Sequence, residues 1–315
     1  MNAESTDRII TKIKREFGDE ILNILNDPLT IELMLNSDGK LWIEKFGQSM
    51  YCYGDFSDAK AKSIISSVAT LLDTVVNADN PILECELPID GSRFEALLPP
   101  IVASPTFSIR KKATRIFTLD DYVSSNILTP KQKNHIFDAI TARKNILVVG
   151  GTGTGKTTLS NAVIHGIANI TPEHRIIIIE DTAELQCSTL NKVILRATNK
   201  VSMLQLLKAT MRLRPDRIIV GETRGKEALD LLKAWNTGHP GGLATVHANS
   251  AKGGLTRIEQ LISEVSSASM PELIAEAVNI IVFINKTNNG RKVEEIVEVV
   301  GYDKQRQEYL LNQII

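Results

Sequence analysis

The sequence predicts an α/β protein of two domains, in which a smaller mixed α/β domain precedes a larger domain built on a mostly parallel sheet. The chain has 315 residues, more than one domain usually holds, and 43% of them are hydrophobic. In its second half, short apolar β-rich runs alternate with helical patterns, an order typical of parallel strands joined by crossover helices. One of these runs leads directly into a glycine-rich segment at 150–155.

The first predicted element is an amphipathic helix between Arg8 and Leu25. Isoleucines and Phe17 recur there at helical spacing, while lysines and an arginine occupy the remaining face. A face of this kind usually packs on its own domain. Contact with a membrane surface or with a partner helix is the less favoured alternative.

Short strands and a second helix complete the predicted first domain. Alternating runs at 41–43 and 93–98 predict strands, and the pattern at 58–76 predicts a helix between them. Short mixed elements of this kind indicate a small α/β domain that ends near Arg115, and we assign this domain to residues 1–116.

A connector and the second domain follow. Residues 117–128 are polar and interrupted, as in a linker, and the second domain is assigned to residues 129–315. Thr129 and Pro130 predict a helix start, with the threonine as cap and the proline in the first turn. The predicted strands of this domain lie at 145–149, 175–179, 217–220, 243–246 and 280–284. Active residues are expected at the carboxyl ends of such strands.

The segment after the first of these strands has the spacing of a phosphate-binding loop. Residues 150–158 read Gly-Gly-Thr-Gly-Thr-Gly-Lys-Thr-Thr, and glycines at this spacing let backbone N–H groups point at phosphate oxygens. Lys156 is predicted to contact the β and γ phosphates, and the Thr157 hydroxyl to hold Mg²⁺. The predicted nucleotide-binding residues are Gly150, Gly151, Thr152, Gly153, Thr154, Gly155, Lys156, Thr157 and Thr158. The flanking strand and helix disfavour a chance glycine turn.

Composition excludes several other classes of protein. With 36 basic and 37 acidic residues, the formal charge is −1, so the sequence gives no strong nucleic-acid signal. Cys52, Cys85 and Cys187 are dispersed, which predicts neither a disulfide framework nor a metal knuckle. No signal-peptide core is visible, and no run approaches the ~18 apolar residues of a membrane span. These features predict a soluble protein of the reducing cytoplasm.

Carboxylates follow two of the predicted strands. The run at 175–179 is followed by Glu180 and Asp181, and the run that begins at Arg217 is followed by Glu222. Phosphoryl transfer needs one carboxylate to orient the attacking water and another to support Mg²⁺, directly or through its waters. Glu222 is the first candidate for polarising water, with Glu180 as helper, and either could support Mg²⁺ through water. An ordinary cap or ion pair is the alternative for each.

Two histidines bound a glycine-rich loop and a strand. His239 precedes the glycine pair at 241–242, and His247 follows the predicted strand at 243–246. Neither histidine forms a zinc pattern with a nearby cysteine. At the carboxyl end of a strand beside the phosphate loop, His247 could donate a hydrogen bond to the γ phosphate and so report its presence. A structural role is the usual alternative for a single histidine.

Four blocks of the sequence have the order of a known family. They lie at 150–158, 179–184, 212–224 and 237–249. Their order and spacing resemble the Walker A, Asp box, Walker B and His box of the secretion traffic ATPases, which power type II and type IV secretion and type IV pili. The resemblance extends over nearly the whole chain. Two features favour the branch of conjugal transfer and type IV secretion. Pilus retraction motors usually have proline at the position of Thr182, and the four-cysteine zinc module of type II secretion and pilus assembly ATPases cannot form from three dispersed cysteines.

This resemblance implies a fold and an activity. It implies a PAS-like domain followed by a RecA-like P-loop ATPase domain that hydrolyses ATP with Mg²⁺ in a homohexameric ring. The N-terminal arginines that reach the phosphates in the family match Arg93 and Arg110, for which a surface ion pair is the alternative. Candidates for action across a subunit boundary are Arg212, Arg214, Arg217 and Arg224.

The resemblance also implies partners and a location. It implies contact with inner-membrane components of the secretion machinery, at the cytoplasmic face of that membrane, in pilus biogenesis or substrate transfer. A RecA-like DNA-translocating motor is a second possibility, but the basic or aromatic strand-contacting loops of such motors are not evident. An ATP-gated scaffold with incidental hydrolysis is a third, although a scaffold has no need for a complete hydrolytic set.

Overall fold

The computed structural model describes residues 3–45, 50–111, 116–198, 200–287 and 290–314, with side chains from Thr6 onward. The chain divides into two compact units, residues 1–115 and 116–315. The predicted end of the first domain near Arg115 lies outside the described residues. The domain limits stay a prediction.

The first unit is a six-stranded sheet with two helices. Its elements are α1 (Ala3–Asn26), β1 (Thr30–Leu35), β2 (Lys40–Lys45), β3 (Tyr51–Asp55), α2 (Asp58–Leu71), β4 (Ile82–Glu86), β5 (Arg93–Leu97) and β6 (Thr106–Arg110). The strands lie in the order β3-β2-β1-β6-β5-β4, and the neighbouring strands pair antiparallel. The prediction of a small mixed α/β domain is confirmed.

Both helices contribute to the core of this unit. Ile13, Phe17 and Ile21 of α1 are buried there, so the predicted packing of this helix on its own domain is confirmed. The second helix was expected to reach residue 76 but ends at Leu71. Asp73 has a φ of 50°, in the left-handed region, and this conformation does not continue a right-handed helix.

The second unit is an eight-stranded sheet with helices on both faces. Its elements are α3 (Leu119–Ser124), α4 (Pro130–Thr141), β7 (Ile146–Val149), α5 (Lys156–Ile170), β8 (Ile176–Glu180), β9 (Lys192–Arg196), α6 (Met203–Thr210), β10 (Arg217–Val220), α7 (Glu227–Asn236), β11 (Leu243–Val246), α8 (Ala251–Ser263), α9 (Pro271–Ala277), β12 (Ile280–Thr287), β13 (Gly290–Asp303) and β14 (Glu308–Gln313). The strand order is β14-β13-β12-β7-β11-β10-β8-β9.

The sheet of the second unit is mostly parallel, as predicted. The neighbouring strands from β12 to β9 are parallel, and β13 and β14 join them antiparallel. Every residue of β7, β10 and β11 is buried, because helices cover both faces of the sheet. The carboxyl ends of these strands therefore meet at one edge, where the phosphate-binding loop leaves β7.

The segment predicted as a linker packs with the second unit. Residues 117–128 contain α3, and Leu119, Tyr122 and Leu128 are buried in the core on one face of the sheet. The polar side chains between them obscured this apolar set in the sequence. The predicted helix start at Thr129 is confirmed, because its hydroxyl caps the first turn of α4.

Candidate active site

The loop between β7 and α5 has the shape of an anion site. A Cβ atom on Gly150 would lie 2.5 Å from the carbonyl oxygen of Ile284, so only glycine fits there. Gly155 has a φ of 96° at the N-cap of α5, and no side chain of the described residues caps this turn. The backbone N–H groups of the turn therefore favour a phosphate as their partner.

Lys156 begins α5 and is held inside the loop. It is 8% exposed, and its Nζ donates hydrogen bonds to the carbonyl oxygens of Gly150 (2.9 Å) and Gly151 (2.8 Å). The same Nζ lies 3.2 Å from Nε2 of His247. The hydroxyl of Thr154 also donates to the Gly151 carbonyl, at 3.0 Å. The ammonium group of Lys156 thus lies beside His247, as expected if both residues contact the γ phosphate.

A chain of charged groups connects Lys156 to the ends of the neighbouring strands. Nε2 of His247 lies 2.9 Å from Oε1 of Glu222. Arg224 donates from Nη2 to Oε2 of Glu222 at 2.6 Å, and from Nη1 to Oδ2 of Asp181 at 3.0 Å. Because β7, β11, β10 and β8 are parallel neighbours, residues distant in sequence meet at one edge of the sheet.

Glu222 is held as a carboxylate. Burial by itself would raise its pKa, but the hydrogen bond from Arg224 and the nearby basic groups of Arg224, His247 and Lys156 outweigh burial and lower it. Its side chain is 16% exposed, so water can reach it. A lowered pKa keeps Glu222 ionised at neutral pH, as an acceptor of a proton from water must be.

Glu180 occupies a different environment. It is 2% exposed, and its Oε2 accepts hydrogen bonds from the backbone N–H groups of Glu184 (2.9 Å) and Leu185 (3.0 Å). Burial raises the pKa of Glu180 despite these bonds. The side chain thus anchors the loop after β8, and its predicted role as helper in catalysis stays a prediction.

Glu184 and Asn161 join the site although neither was selected from the sequence. Thr157 Oγ1 donates to Oε2 of Glu184 at 3.1 Å. Asn161 donates to the backbone carbonyl of Glu184 at 3.1 Å and accepts from the N–H of Gln186 at 2.8 Å. Asn161 lies one helical turn after Thr157, and this spacing on the same helix face was the available signal.

The oxygen groups around Thr157 fit a magnesium ion. A hydroxyl and a nearby carboxylate are the hard donors that Mg²⁺ prefers, usually together with phosphate oxygens and waters. Within the ranges that the structure covers, no group of three or more histidine, cysteine or acidic side chains could hold a metal by itself. Thr157 with nucleotide phosphates, rather than a cage of protein ligands, is therefore the arrangement that fits these residues.

Glu227 positions the backbone that carries Arg224. It is 8% exposed, and its Oε1 accepts hydrogen bonds from the N–H groups of Arg224 (2.8 Å) and Gly225 (3.0 Å). These bonds fix the turn before α7, from which Arg224 reaches Glu222. Glu227 was not predicted as a site residue, because a glutamate in the first turn of a helix is an ordinary feature.

Two residues within the predicted blocks, His239 and Arg217, lie far from the phosphate-binding loop. His239 precedes β11 and His247 follows it, so the two histidines lie at opposite ends of the parallel strands. Nδ1 of His239 lies 3.1 Å from the carbonyl oxygen of Pro215. Arg217 likewise begins β10 and is fully buried. It donates to the carbonyls of Gly241 and Ile140, so it is a structural residue of this unit and not a candidate for a subunit boundary.

The other predicted arginines have separate positions. Arg212 and Arg214 are exposed, on the turn between α6 and β10. In the first unit, Arg93 of β5 and Arg110 of β6 are directly opposite each other in the antiparallel register. Their side chains therefore lie on the same face of that sheet, which suits joint recognition of an anion.

The cluster around Arg217 predicts a pH dependence of stability. Burial, followed by the charges of Arg217 and Arg143, lowers the pKa of His174, although Glu173 and Asp216 oppose the shift. The unfolded chain therefore binds more protons, and the stabilisation present above pH 6.5 is lost as the pH falls through the lowered pKa.

We expect the melting temperature of the wild type to fall a few degrees more than that of His174→Gln between pH 7.5 and 5.5. The glutamine oxygen can still accept the bond from Arg217 Nε, which spans 3.1 Å, but it does not titrate. Melting curves at matched ionic strength measure the difference. Parallel curves for the two proteins would contradict this account.

Comparisons with known proteins identify the family of the chain and two similar proteins. The family model described as "Type II/IV secretion system protein" matches residues 16–307. The chain is 50% identical over 307 residues to the "Probable conjugal transfer protein TrbB" of Sinorhizobium fredii, covering 98% of this chain and 94% of that protein. It is 49% identical over 295 residues to the conjugal transfer protein TrbB of Rhizobium radiobacter, covering 94% and 91%.

A solved structure agrees on the fold. The VirB11 ATPase from the Brucella suis type IV secretion system, in complex with sulphate, aligns with a TM-score of 0.50 and 24% sequence identity. The alignment covers 94% of this chain and 96% of that one. The predicted RecA-like domain, preceded by a smaller mixed α/β domain, is confirmed, as is the predicted likeness to conjugal transfer proteins. The chain therefore belongs to the family of type II/IV secretion system proteins.

Proposed function

We propose that this protein hydrolyses ATP with Mg²⁺ and uses the reaction to drive a conjugation or type IV secretion machine. One observation supports this proposal more than any other: the contact of Lys156 with His247, and of His247 with Glu222, beside an uncapped helix N-terminus. A phosphate-binding loop alone occurs in many proteins. A half-buried carboxylate kept ionised next to that loop, and still reached by water, is what hydrolysis requires in addition.

Each residue has a separate task in the proposed reaction. Lys156 and the N–H groups of the α5 turn bind the β and γ phosphates. Glu222 orients the attacking water and accepts its proton, while Arg224 keeps the carboxylate in place. His247 donates to the γ phosphate. When bound, Mg²⁺ would neutralise charge on the phosphates. The Thr157 hydroxyl would hold the ion, together with Glu184 or Glu180 through water.

We propose Arg93 and Arg110 of the first unit as further cations for the phosphates. The family resemblance assigns Arg93 and Arg110 to contact with the phosphates. Their opposition across β5 and β6 supports this assignment, because two guanidinium groups on one sheet face can bind one polyanion. Release of phosphate after hydrolysis would then remove a contact of this unit and so permit movement.

The proposed assembly is a homohexamer that acts with inner-membrane components of a secretion machine. The family resemblance implies this place of action, at the cytoplasmic side of the membrane, and the relatives named as conjugal transfer proteins support a role in transfer. Along the ranges described here, no helix has both the length and the apolar character needed to cross a bilayer. Peripheral association with the membrane, through these partners, is proposed on the family resemblance.

Phosphate release and particle size together test this proposal. Purified protein is expected to release phosphate from ATP when Mg²⁺ is present and to stop when EDTA is added. Turnover per chain is expected to rise with protein concentration as the hexamer forms, as followed by light scattering with a non-hydrolysable ATP analogue. Full activity in a monomer would refute the ring, and no phosphate release at any concentration would refute the enzyme.

A further inference from the structure

Arg291 lies against the outer side of the phosphate-binding loop. It stands at the start of β13, and its Nε and Nη2 donate hydrogen bonds to the carbonyl oxygen of Gly153, at 3.3 and 3.2 Å. A Cβ atom on Gly155 would lie 3.1 Å from Cδ of Arg291. The side chain of Arg291 thus touches the loop at two points, although no sequence block that resembles the family contains it.

The base of the hairpin that carries Arg291 is fixed. Two residues further along β13, Val293 is fully buried. Its N–H donates to the carbonyl of Ile127 at 2.9 Å, and its carbonyl accepts from the side chain of Gln132 at 3.2 Å. A strand held from both sides presents Arg291 in a defined place, so little ordering is needed when the guanidinium binds a ligand.

The charge of Arg291 is not compensated by an acid. In the part of the chain that the structure describes, no carboxylate lies within ion-pair distance of its guanidinium. By contrast, Arg224 is paired with both Glu222 and Asp181. Two of the five N–H donors of Arg291 share one carbonyl oxygen, so donors remain for an anionic ligand.

The strand order places Arg291 at one particular end of the nucleotide. Glu222 and His247 follow β10 and β11, on one side of β7, whereas β12 and β13 lie on the other side. Water attacks at the γ phosphate, so the γ phosphate must face Glu222. The nucleoside end of the same molecule then extends toward the side of β12 and β13, where Arg291 is located.

We propose that Arg291 binds the α phosphate of the nucleotide. This inference rests on the proposed function, because it assumes that ATP occupies the loop. A guanidinium group matches two oxygens of one phosphate, and such charge-assisted bonds are among the stronger polar contacts in proteins. The charge on the α phosphate does not change during attack at the γ phosphate. The contact therefore binds the ground state and the transition state equally.

Kinetics of Arg291→Ala test this inference. The variant is expected to bind ATP and ADP about tenfold more weakly in titration calorimetry. KM for ATP is expected to rise by the same factor while kcat stays within about twofold, as loss of uniform binding requires. Lys292→Ala removes a neighbouring exposed charge and is the matched control, with unchanged affinity.

A sulfur-substituted nucleotide separates direct contact from loop shaping. The wild type is expected to discriminate between ATP and ATP with sulfur on the α phosphate more strongly than Arg291→Ala does, because only the wild type loses a guanidinium bond. Equal discrimination by both proteins, unchanged ATP affinity, or a fall in kcat equal to the rise in KM would overturn the inference. Failure of the wild type to bind any nucleotide would instead overturn the proposed function.

Discussion

Replacing Glu222 with glutamine is expected to reduce steady ATP turnover about 100-fold or more, the range typical of a lost general base. Glutamine keeps the shape of the side chain and can still accept the bond from Arg224, which spans 2.6 Å in the wild type. It cannot take a proton from water. Because Lys156 and the α5 turn are unchanged, the affinity for ATP is expected to stay within a few-fold.

Phosphate release and calorimetric titration of the same Glu222→Gln preparation separate the two effects. Glu264→Gln is the matched control, since Glu264 is exposed at the end of α8. Glu180→Gln is a second comparison, because Glu180 anchors two backbone N–H groups and its loss is expected to disturb the loop after β8. Normal turnover in Glu222→Gln with abolished turnover in Glu180→Gln would reverse the roles assigned here.

The parallel strands could be predicted because their burial leaves a simple trace in the sequence. β7, β10 and β11 are covered on both faces, so each reads as a continuous apolar run. The edge strand β9 was not predicted. Only Val193 and Leu195 of this strand are partly buried, while the alternate residues Lys192, Ile194 and Arg196 are exposed, so no long apolar run marks it in the sequence. The hairpin of β13 and β14 was missed for the same reason, since many of its residues are polar and exposed.

Candidate residues were predictable where one short segment carries the site. The loop from Gly150 to Thr158 is contiguous, and its contacts follow from its spacing. Nearness in sequence does not place two residues in one site when a strand lies between them. The two ends of a four-residue strand are roughly 13 Å apart. Arg217 begins β10 and Glu222 follows it, so the two residues lie at opposite ends of this strand.

The partners of the catalytic residues depended on tertiary structure and left little trace. Glu184 reaches Thr157 only because the loop after β8 folds back on α5. Arg291 reaches Gly153 only because β12 lies next to β7 in the sheet and β13 lies next to β12. The sequence by itself contains no sign of either contact, since glutamate and arginine are ordinary surface residues.

Replacing Lys156 with alanine is expected to weaken ATP binding about 100-fold or more, the equivalent of roughly two charge-assisted hydrogen bonds. The ammonium group is nearly buried and bonded to two loop carbonyls. Its removal takes the ammonium donor from both oxygens, leaving the Gly151 carbonyl with the Thr154 hydroxyl, and removes the cation predicted to meet the β and γ phosphates. Hydrolysis by Lys156→Ala is expected to be undetectable at ATP concentrations that saturate the wild type.

A larger cation at the same position separates charge from geometry. Nζ of Lys156 is enclosed by the carbonyl oxygens of Gly150 and Gly151, at 2.9 and 2.8 Å, and by Nε2 of His247, at 3.2 Å, so the bulkier guanidinium of Lys156→Arg does not fit the space of the ammonium. We expect Lys156→Arg to lose at least about tenfold in ATP affinity although the charge is kept. Lys233→Ala, an exposed change on α7, is the control. Normal binding by Lys156→Arg with none by Lys156→Ala would mean that charge alone is required, because the close fit of the loop would then contribute nothing.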